Sequence, residues 1–413
     1  MNTISRRKLS LVLYINYIVH GIGLIILTQN MQSLGNFWNV PIATVSYVIS
    51  GIGIGKLIAY FIFGYLSDRF GRKQMVIVGM ASYLIFFIGM PFTTNLVMAY
   101  GLAILAGVAN SAFDAGTYPT FIEMGGNAGA SNVFIKAFMS IGEFILPLVV
   151  ASLESNKLWF GWSFILPCGL LMINFFLIRK TTFPHAKVEE VELEEESNGP
   201  RGIKKLIASV ALSMYGYTSM AIMILFTQWI TVFAQQKLGF SVLMAHGLLS
   251  LYSISSIVGV VVTFIILKLG VAEEKVLLGS TLISLLSLFL ISTLRNQLLV
   301  MIASAVFGFT AAGGVLQVAL NLLLKMLPVH KGIITGLYMT FGSIATFTVP
   351  IVTGRLATEN IQSVLNFDVF IGIVGSVLAL VTILCLQRVR TSNTVSQVIL
   401  NTNSNKKDRS FLK

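Results

Sequence analysis

Residues 64–74 read Gly64-Tyr65-Leu66-Ser67-Asp68-Arg69-Phe70-Gly71-Arg72-Lys73-Gln74. This charge-dense turn lies between two apolar runs, near 43–66 and 74–93, each long enough to cross a bilayer. Such a turn cannot rest in hydrocarbon, so it ties the ends of two spanning helices together at one membrane face. Gly64 and Gly71 are expected to let the helix ends approach closely. Asp68 is placed to pair with a helix terminus or an arginine, and Arg69, Arg72 and Lys73 hold the loop on the cytoplasmic side.

Outward from the turn, the whole chain has the same character. It is 55% hydrophobic and 11% charged, with a mean hydropathy of +0.85. A soluble domain carries roughly 25% charged residues. Apolar runs of about 20 residues fall near 10–32, 43–66, 74–93, 98–122, 133–153, 158–179, 205–232, 245–268, 275–293, 299–325, 332–353 and 367–387. Only helices satisfy every backbone group in lipid without closing a barrel, so the fold class is an all-α polytopic membrane protein with twelve transmembrane helices. The net charge of +12 sits between and beside spans, which argues for a membrane surface and against a nucleic-acid partner. No cleavable signal peptide is expected, because Met1–Ser10 leads straight into an apolar run. Cys168 and Cys385 fall inside spans without framework spacing and read as inert apolar residues.

The pattern of Gly64, Leu66, Asp68, Arg69, Gly71, Arg72 and Lys73 resembles the signature loop between helices 2 and 3 of the major facilitator superfamily of secondary transporters. That resemblance implies two pseudo-symmetric six-helix bundles that rock about a midplane site. The residues support the division independently. Residues 1–180 and 205–390 each hold six spans. Between them, 181–204 is a polar linker with the acidic run Glu189, Glu190, Glu192, Glu194, Glu195 and Glu196, expected to be solvated and disordered. The tail at 391–413, rich in Asn, Ser, Thr and Lys, is expected to be disordered as well. Leu27-Thr28-Gln29 recurs as Phe226-Thr227-Gln228, and Val76-Ile77-Val78-Gly79 as Val276-Leu277-Leu278-Gly279, an internal offset of about 200 residues. The loop before the second copy, 266–275, has lost the Asp-Arg-x-Gly-Arg core.

Basic residues set the orientation. One set of segments carries Arg6, Arg7, Lys8, Arg69, Arg72, Lys73, the basic residues of the central linker, Lys268, Lys275, Lys325, Lys331, Arg388 and Arg390. The opposite set holds only Lys157, Lys237, Arg295 and Arg355. This bias places both termini in the cytoplasm of a multi-pass cell-membrane protein. Trp38, Trp159, Trp162 and Trp229 then fall toward the outer face, as an interfacial belt would.

Charges inside the membrane are costly and mark function. Lys56 lies near the middle of the second span, Asp114 in the fourth, Glu143 in the fifth and His20 in the first. All are in the first half, which assigns proton handling to that half. The second half then contributes neutral groups such as Tyr215, Tyr217, Gln317, Asn321 and Tyr338 to a solute site, joined by Asn16 from the first span. Desolvation makes a buried carboxyl a proton carrier, and Asp114 is the leading coupling group. Its stretch 114–119, ending in Pro119, resembles the fourth-helix segment of fucose-permease-like proton symporters, where a glutamate five residues before a proline handles protons. Here Asp replaces that Glu. The alternative is that Asp114 pairs with Lys56 and only holds helices together. Glu143 is a second candidate for the Lys56 ion pair or for the proton. One lysine cannot neutralise both acids, so at least one of them is protonated or binds a cation. His20 titrates near neutral pH when unperturbed or serves as a hydrogen-bonded packing residue. Lys136 is placed to snorkel toward the inner face. Glu123 is expected to act as a gate partner of Arg69 or Arg72.

The sequence contains no Walker A motif, dinucleotide fingerprint or His/Cys metal cluster, so no cofactor, metal or enzymatic activity is expected. Drug/proton antiporters of the superfamily often carry Gly-x-x-x-Gly-Pro-x-x-Gly-Gly in helix 5. Residues 142–151, with Gly142 and Pro147, depart from it, and the arginine-rich loops of sugar porters are missing too. The leading reading is a monomeric, proton-coupled transporter that takes up a small polar organic solute. The runner-up is a proton-antiport exporter of amphipathic compounds. The reading from another class is a membrane sensor or scaffold without transport.

Overall fold

The computed structural model describes residues 3–124, 128–184, 202–327 and 331–410. These residues form helices and short connections, with no strand among them. The first half holds α1 (Thr3–Gln29), α2 (Met31–Trp38), α3 (Ile42–Phe70), α4 (Arg72–Gly89), α5 (Leu96–Glu123), α6 (Ala128–Ser155) and α7 (Trp162–Arg179). The second holds α8 (Ile203–Leu238), α9 (Val242–Lys268), α10 (Glu273–Thr293), α11 (Gln297–Ala311), α12 (Val315–Met326), α13 (Lys331–Glu359) and α14 (Ile361–Ser410). Twelve candidate spans result, the number read from hydropathy.

Two elements differ from that reading. α2 occupies what hydropathy treats as a connection between spans, and closes on Asn39 in the left-handed region (φ 54°). The span expected as one helix over 299–325 is broken between α11 and α12. At the break Gly314 has φ +97°, a conformation that glycine adopts without steric cost. A break in a spanning helix is tolerated where other protein groups or a cavity satisfy the freed backbone.

Equivalent helix pairs cross in the two halves through glycine. A Cβ on Gly55 of α3 would overlap the Ile104 carbonyl of α5, and one on Gly107 would overlap the Ile52 carbonyl. In the second half, Gly259 of α9 stands in the same relation to the Phe309 carbonyl of α11, and Gly308 to that of Tyr252. Small residues let backbones touch where lipid supplies no hydrophobic drive. The repetition of this device in α3/α5 and α9/α11 is the structural counterpart of the internal sequence repeat.

The halves meet where α3 packs along α13 and α6 along α9. Hydrogen bonds across this junction run from the Ser140–Ser256 hydroxyl pair (3.1 Å) to Gln32–Gln235 (2.9 Å) beyond the ends of α1. Among the described residues, no hydrogen bond or ion pair joins the halves at the end that carries the 64–74 turn. The molecule is therefore latched at the end opposite that turn.

Three expectations need correction or bounding. Trp229 is 1% exposed and donates to Thr353 Oγ1 (2.8 Å), and Trp38 is buried and donates to the Thr93 carbonyl (2.8 Å). Only Trp159 and Trp162 are exposed, so the belt is half the size expected. α14 continues to Ser410 through most of the tail expected to be disordered. No proline or glycine follows Gly375 within it, and extending an existing helix costs far less than starting one. The acidic run Glu189–Glu196 lies outside the described residues.

Candidate functional site

Three helices of the first half converge on Asp114. Tyr17 Oη of α1 donates to Asp114 Oδ1 at 2.8 Å, and Tyr60 Oη of α3 donates to Oδ2 at 2.6 Å. Asp114 is half-buried, whereas its neighbours Phe113 and Tyr17 are buried. Each oxygen thus has one neutral donor, and the group retains access to solvent. His20 lies one turn beyond Tyr17 and is 3% exposed, with Nδ1 3.1 Å from Tyr83 Oη of α4. Tyr17, His20, Tyr83 and Phe113 stack edge to face and tilted around this point. The aromatic packing around Tyr17 holds its hydroxyl toward the carboxyl.

The ion pair expected at Lys56 is absent. Lys56 is 8% exposed, yet no carboxylate lies within ion-pair distance of its amine among the described residues. Asp114 is taken by tyrosines instead. Glu143 pairs with Lys136 of its own helix (3.5 Å) and accepts from Ser140 Oγ (3.4 Å). Lys136 and Glu143 are seven residues apart, two helical turns, and so share a face of α6. Lys136 therefore folds back onto the acid rather than snorkelling. Ser140 also touches Ser256 of α9, which puts Glu143 beside the junction between the halves.

The 64–74 turn braces the first half. Arg72 donates to Asp68 (2.6 Å), Ser67 Oγ (2.8 Å) and Glu123 Oε1 (2.8 Å). Pro119 deprives the Ala115 carbonyl of its helical donor, and Ser67 Oγ supplies one at 2.6 Å. Lys73 Nζ caps the end of α7 through the carbonyls of Arg179 (3.1 Å) and Thr181 (2.9 Å). Of the two arginines proposed for Glu123, Arg72 is the partner, and Arg69 instead reaches Tyr65 Oη (3.4 Å). The glycines act differently from expectation. A Cβ on Gly64 or Gly71 would meet nothing within 4 Å, so neither permits a close approach. Gly71 is needed for its backbone, φ +93°, which links α3 to α4.

The neutral residues assigned to the solute site separate into two groups. Asn16 is fully buried, where its Oδ1 accepts from Asn174 Nδ2 (2.7 Å), joining α1 to α7. Tyr215 bonds Thr281 Oγ1 (2.7 Å), and Tyr338 donates to the Leu316 carbonyl (3.0 Å). Both are buried inside the second half, so these three are packing groups in this state. Tyr217 is half-buried against Thr348 Oγ1 (2.9 Å). Gln317 and Asn321 are exposed, four residues apart on one face of α12.

Sequence reading missed two titratable groups in the second half. Asp368 of α14 is fully buried and neither carboxyl oxygen has a hydrogen-bond partner. His246 of α9 is 1% exposed and bridges two residues of the first half, Gln29 and Glu154. Both lie near the ends of apolar runs, where hydropathy alone counts them as loop-proximal. Among the described residues, no group of three His, Cys, Asp or Glu is arranged to hold a metal ion.

The family model for the Major Facilitator Superfamily matches residues 13–350. The chain belongs to this superfamily. It is 40% identical over 370 residues to the inner membrane transport protein YdiM of Escherichia coli (strain K12), covering 89% of this chain and 92% of YdiM. It is 34% identical over 372 residues to the MFS-type transporter YfkL of Bacillus subtilis (strain 168), covering 89% and 93%. In fold it is similar to a D-xylose-proton symporter, with a TM-score of 0.73, 14% identity and coverage of 90% of this chain and 96% of that one. The nucleoside transporter NupG gives a TM-score of 0.71 at 14% identity, with 92% and 99% covered. This facilitator is therefore a multi-pass membrane transporter of small molecules, not an enzyme, built as two six-helix bundles.

Proposed function

We propose that this protein is a proton-coupled secondary transporter that takes up a small polar organic solute by alternating access. The observation that carries the reading is Asp114. It is a half-buried intramembrane acid held by two tyrosine hydroxyls, with no cation in ion-pair contact. Neutral donors hold a carboxyl in place in either protonation state, because a tyrosine hydroxyl can also accept. A lysine partner would instead fix the charge. Such a group can load a proton from one side and release it to the other.

The excess of basic residues beside the 64–74 turn supports a cytoplasmic position for that end and for both termini. On that orientation the latched end faces outward, and the solute enters from the cytoplasmic side or leaves toward it in this state. Gln317, Asn321 and the Tyr217–Thr348 pair supply neutral hydrogen-bonding groups from the second half, suited to a solute rich in hydroxyl or amide groups. Departure of residues 142–151 from the antiporter stretch supports uptake over export. The xylose-proton symporter shares the architecture, so the fold admits this coupling.

The test is solute-dependent proton movement in proteoliposomes, across sugars, organic acids, amino acids and cationic dyes, with Asp114→Asn beside wild type. Alkalinisation outside on adding one solute, lost in Asp114→Asn while solute exchange without a gradient persists, is the expected result. Transport indifferent to pH and to Asp114→Asn would refute the coupling role.

A further inference from the structure

Lys56 lies on the flank of the junction where α3 packs along α13. Ser46 Oγ of α3 donates to the Pro350 carbonyl of α13, and further along α3 Gly53 sits against the backbone of Thr346 and Phe347. The two helices therefore run antiparallel. Lys56, one turn beyond Gly53 and on the same face, comes level with residues 340–343. Along that stretch α13 offers the hydroxyls of Thr340 and Ser343 and no acid, since its charged residues are Lys331, Arg355 and Glu359, near its ends. α5, the other neighbour of α3, contains two acids. Asp114 is held by Tyr17 and Tyr60, and Glu123 by Arg72. The acid of α3 itself, Asp68, also pairs with Arg72.

The other flank of the junction, where α6 packs along α9, settles its charges internally. Ser256, matched to Lys56 at the offset of 200 residues, shares a hydrogen bond with Ser140 (3.1 Å). The cation there, Lys136, has Glu143 on its own helix (3.5 Å). On the α3–α13 flank, by contrast, a lysine only 8% exposed has no acid within ion-pair distance among the described residues. The serine at the matched position shows that packing is satisfied there without a charge, and a charge in a membrane interior is costly. Lys56 is also close to an opening. Ser111 Oγ donates to its carbonyl (3.3 Å), and Tyr60, one turn along α3, holds Asp114. Tyr118, one turn from Asp114 and edge-on to Tyr17, is 38% exposed, and Asp114 and Thr340 are half-buried.

We propose that Lys56 anchors the carboxylate of the transported solute, which makes the solute class a small hydroxylated monocarboxylate. This deepens the transport function proposed above and rests on it. A carboxylate supplies what the ammonium lacks, a counter-charge and a hydrogen-bond acceptor. One lysine balances one negative charge. A phosphate ester, at about −1.5 to −2 near neutral pH, would leave negative charge uncompensated beside Asp114. The groups around the anchor are hydroxyls: Tyr60 of α3, Tyr118 of α5 and Thr340 of α13. They suit a solute that carries hydroxyls next to its carboxylate. Thr340 belongs to the second half, so a solute seated on Lys56 lies between the halves, where alternating access needs it.

The experiment follows the unfolding temperature of the detergent-purified protein with acetate, lactate, glycerate, gluconate, cyclohexanecarboxylate and benzoate, each beside its primary amide. Stabilisation by at least one carboxylate is expected, with its amide binding roughly ten- to hundredfold more weakly, the worth of a hydrogen bond to a charged group. Lys56→Gln removes a buried charge, so its unliganded unfolding temperature should equal or exceed that of wild type, and it should bind acid and amide alike. Lys56→Arg keeps the charge and should keep the preference. Stabilisation by no carboxylate overturns the proposal. So does equal binding of acid and amide in wild type, or a preference that survives in Lys56→Gln. The anchor and the proton coupling fail separately. Lys56-dependent carboxylate binding without solute-driven proton movement would sink the coupling and leave the anchor standing. Proton movement driven by neutral solutes alone would do the reverse.

Discussion

Gly53 and Gly55 lie two residues apart on α3 but face different partners, which makes them a controlled pair for alternating access. A Cβ on Gly53 would overlap the Phe347 backbone nitrogen and sit 2.6 Å from the Thr346 carbonyl carbon, both on α13 of the other half. A Cβ on Gly55 would overlap the Ile104 carbonyl of α5, within its own half. Neither obstacle is the flexible end of a side chain, so backbone must shift. Overpacking of this kind costs about 1–3 kcal/mol. For Gly53→Ala the cost falls only on the state in which α3 touches α13, because the halves separate there when the latched end opens. A bias of that size moves a two-state equilibrium by roughly 5- to 150-fold. For Gly55→Ala the α3–α5 crossing persists in both states, so the cost appears as lost stability. Spin labels at Leu158 and Leu298, both exposed and in opposite halves, in a background lacking Cys168 and Cys385, should report a longer distance in Gly53→Ala with little change in unfolding temperature. Gly55→Ala should lower the unfolding temperature and leave the distances unchanged. Gly101→Ala and Gly169→Ala, with open space at the Cβ, are the neutral controls. Equal opening by Gly53→Ala and Gly55→Ala, or none by Gly53→Ala, would refute the rigid-body account of the junction.

Arg72→Lys should destabilise the detergent-solubilised protein by about 1–3 kcal/mol, since an ammonium cannot span Ser67, Asp68 and Glu123 together as the guanidinium does. Glu123→Gln keeps an acceptor for Arg72 Nε and should cost less, and a thermal unfolding series in which it costs more would reverse that ranking. Asp368→Asn should leave transport intact and stability equal or higher, because an ionised carboxylate enclosed without a donor or cation is costly by many kcal/mol. Loss of transport with the fold retained would instead place Asp368 on the ion path.

Class and span count were legible because hydrocarbon imposes one strong rule on the backbone, and runs of 20 apolar residues record it. The 64–74 turn was legible for a related reason, since charge cannot hide between two spans. Helix rotation was not legible. In a span that is apolar all round, the periodicity that would fix a buried face is lost, so the sequence could not say that Asp114 faces Tyr17 and Tyr60 rather than Lys56. Nor could it say that Asn16 turns to Asn174, away from any solute. His246 escaped notice because its significance comes from two residues, Gln29 and Glu154, that only tertiary packing brings to it.

The internal repeat offers a way to separate scaffold from function in this facilitator. Features present in both halves answer to packing: the glycine crossings of α3/α5 and α9/α11, and the paired glutamines at 29 and 228. Departures from the repeat need another cause, because duplication supplies a working neutral alternative at the equivalent place. At the offset of 200 residues, Lys56 is matched by Ser256, Ser46 by His246, and Glu154 by Gly354, whose Cβ would sit 3.1 Å from Ser46. In each pair the apolar or neutral member satisfies the fold, so the charged or titratable member is surplus to it. Retaining such groups in a membrane carries a free-energy cost that packing does not repay. Lys56 and the His246–Glu154 pair are therefore where ion handling should be sought, alongside Asp114, and replacing each by its repeat partner is the direct trial. Lys56→Ser, His246→Ser and Glu154→Gly should each give folded protein with altered solute-driven proton movement in proteoliposomes. Unfolding in all three would return these charges to the scaffold.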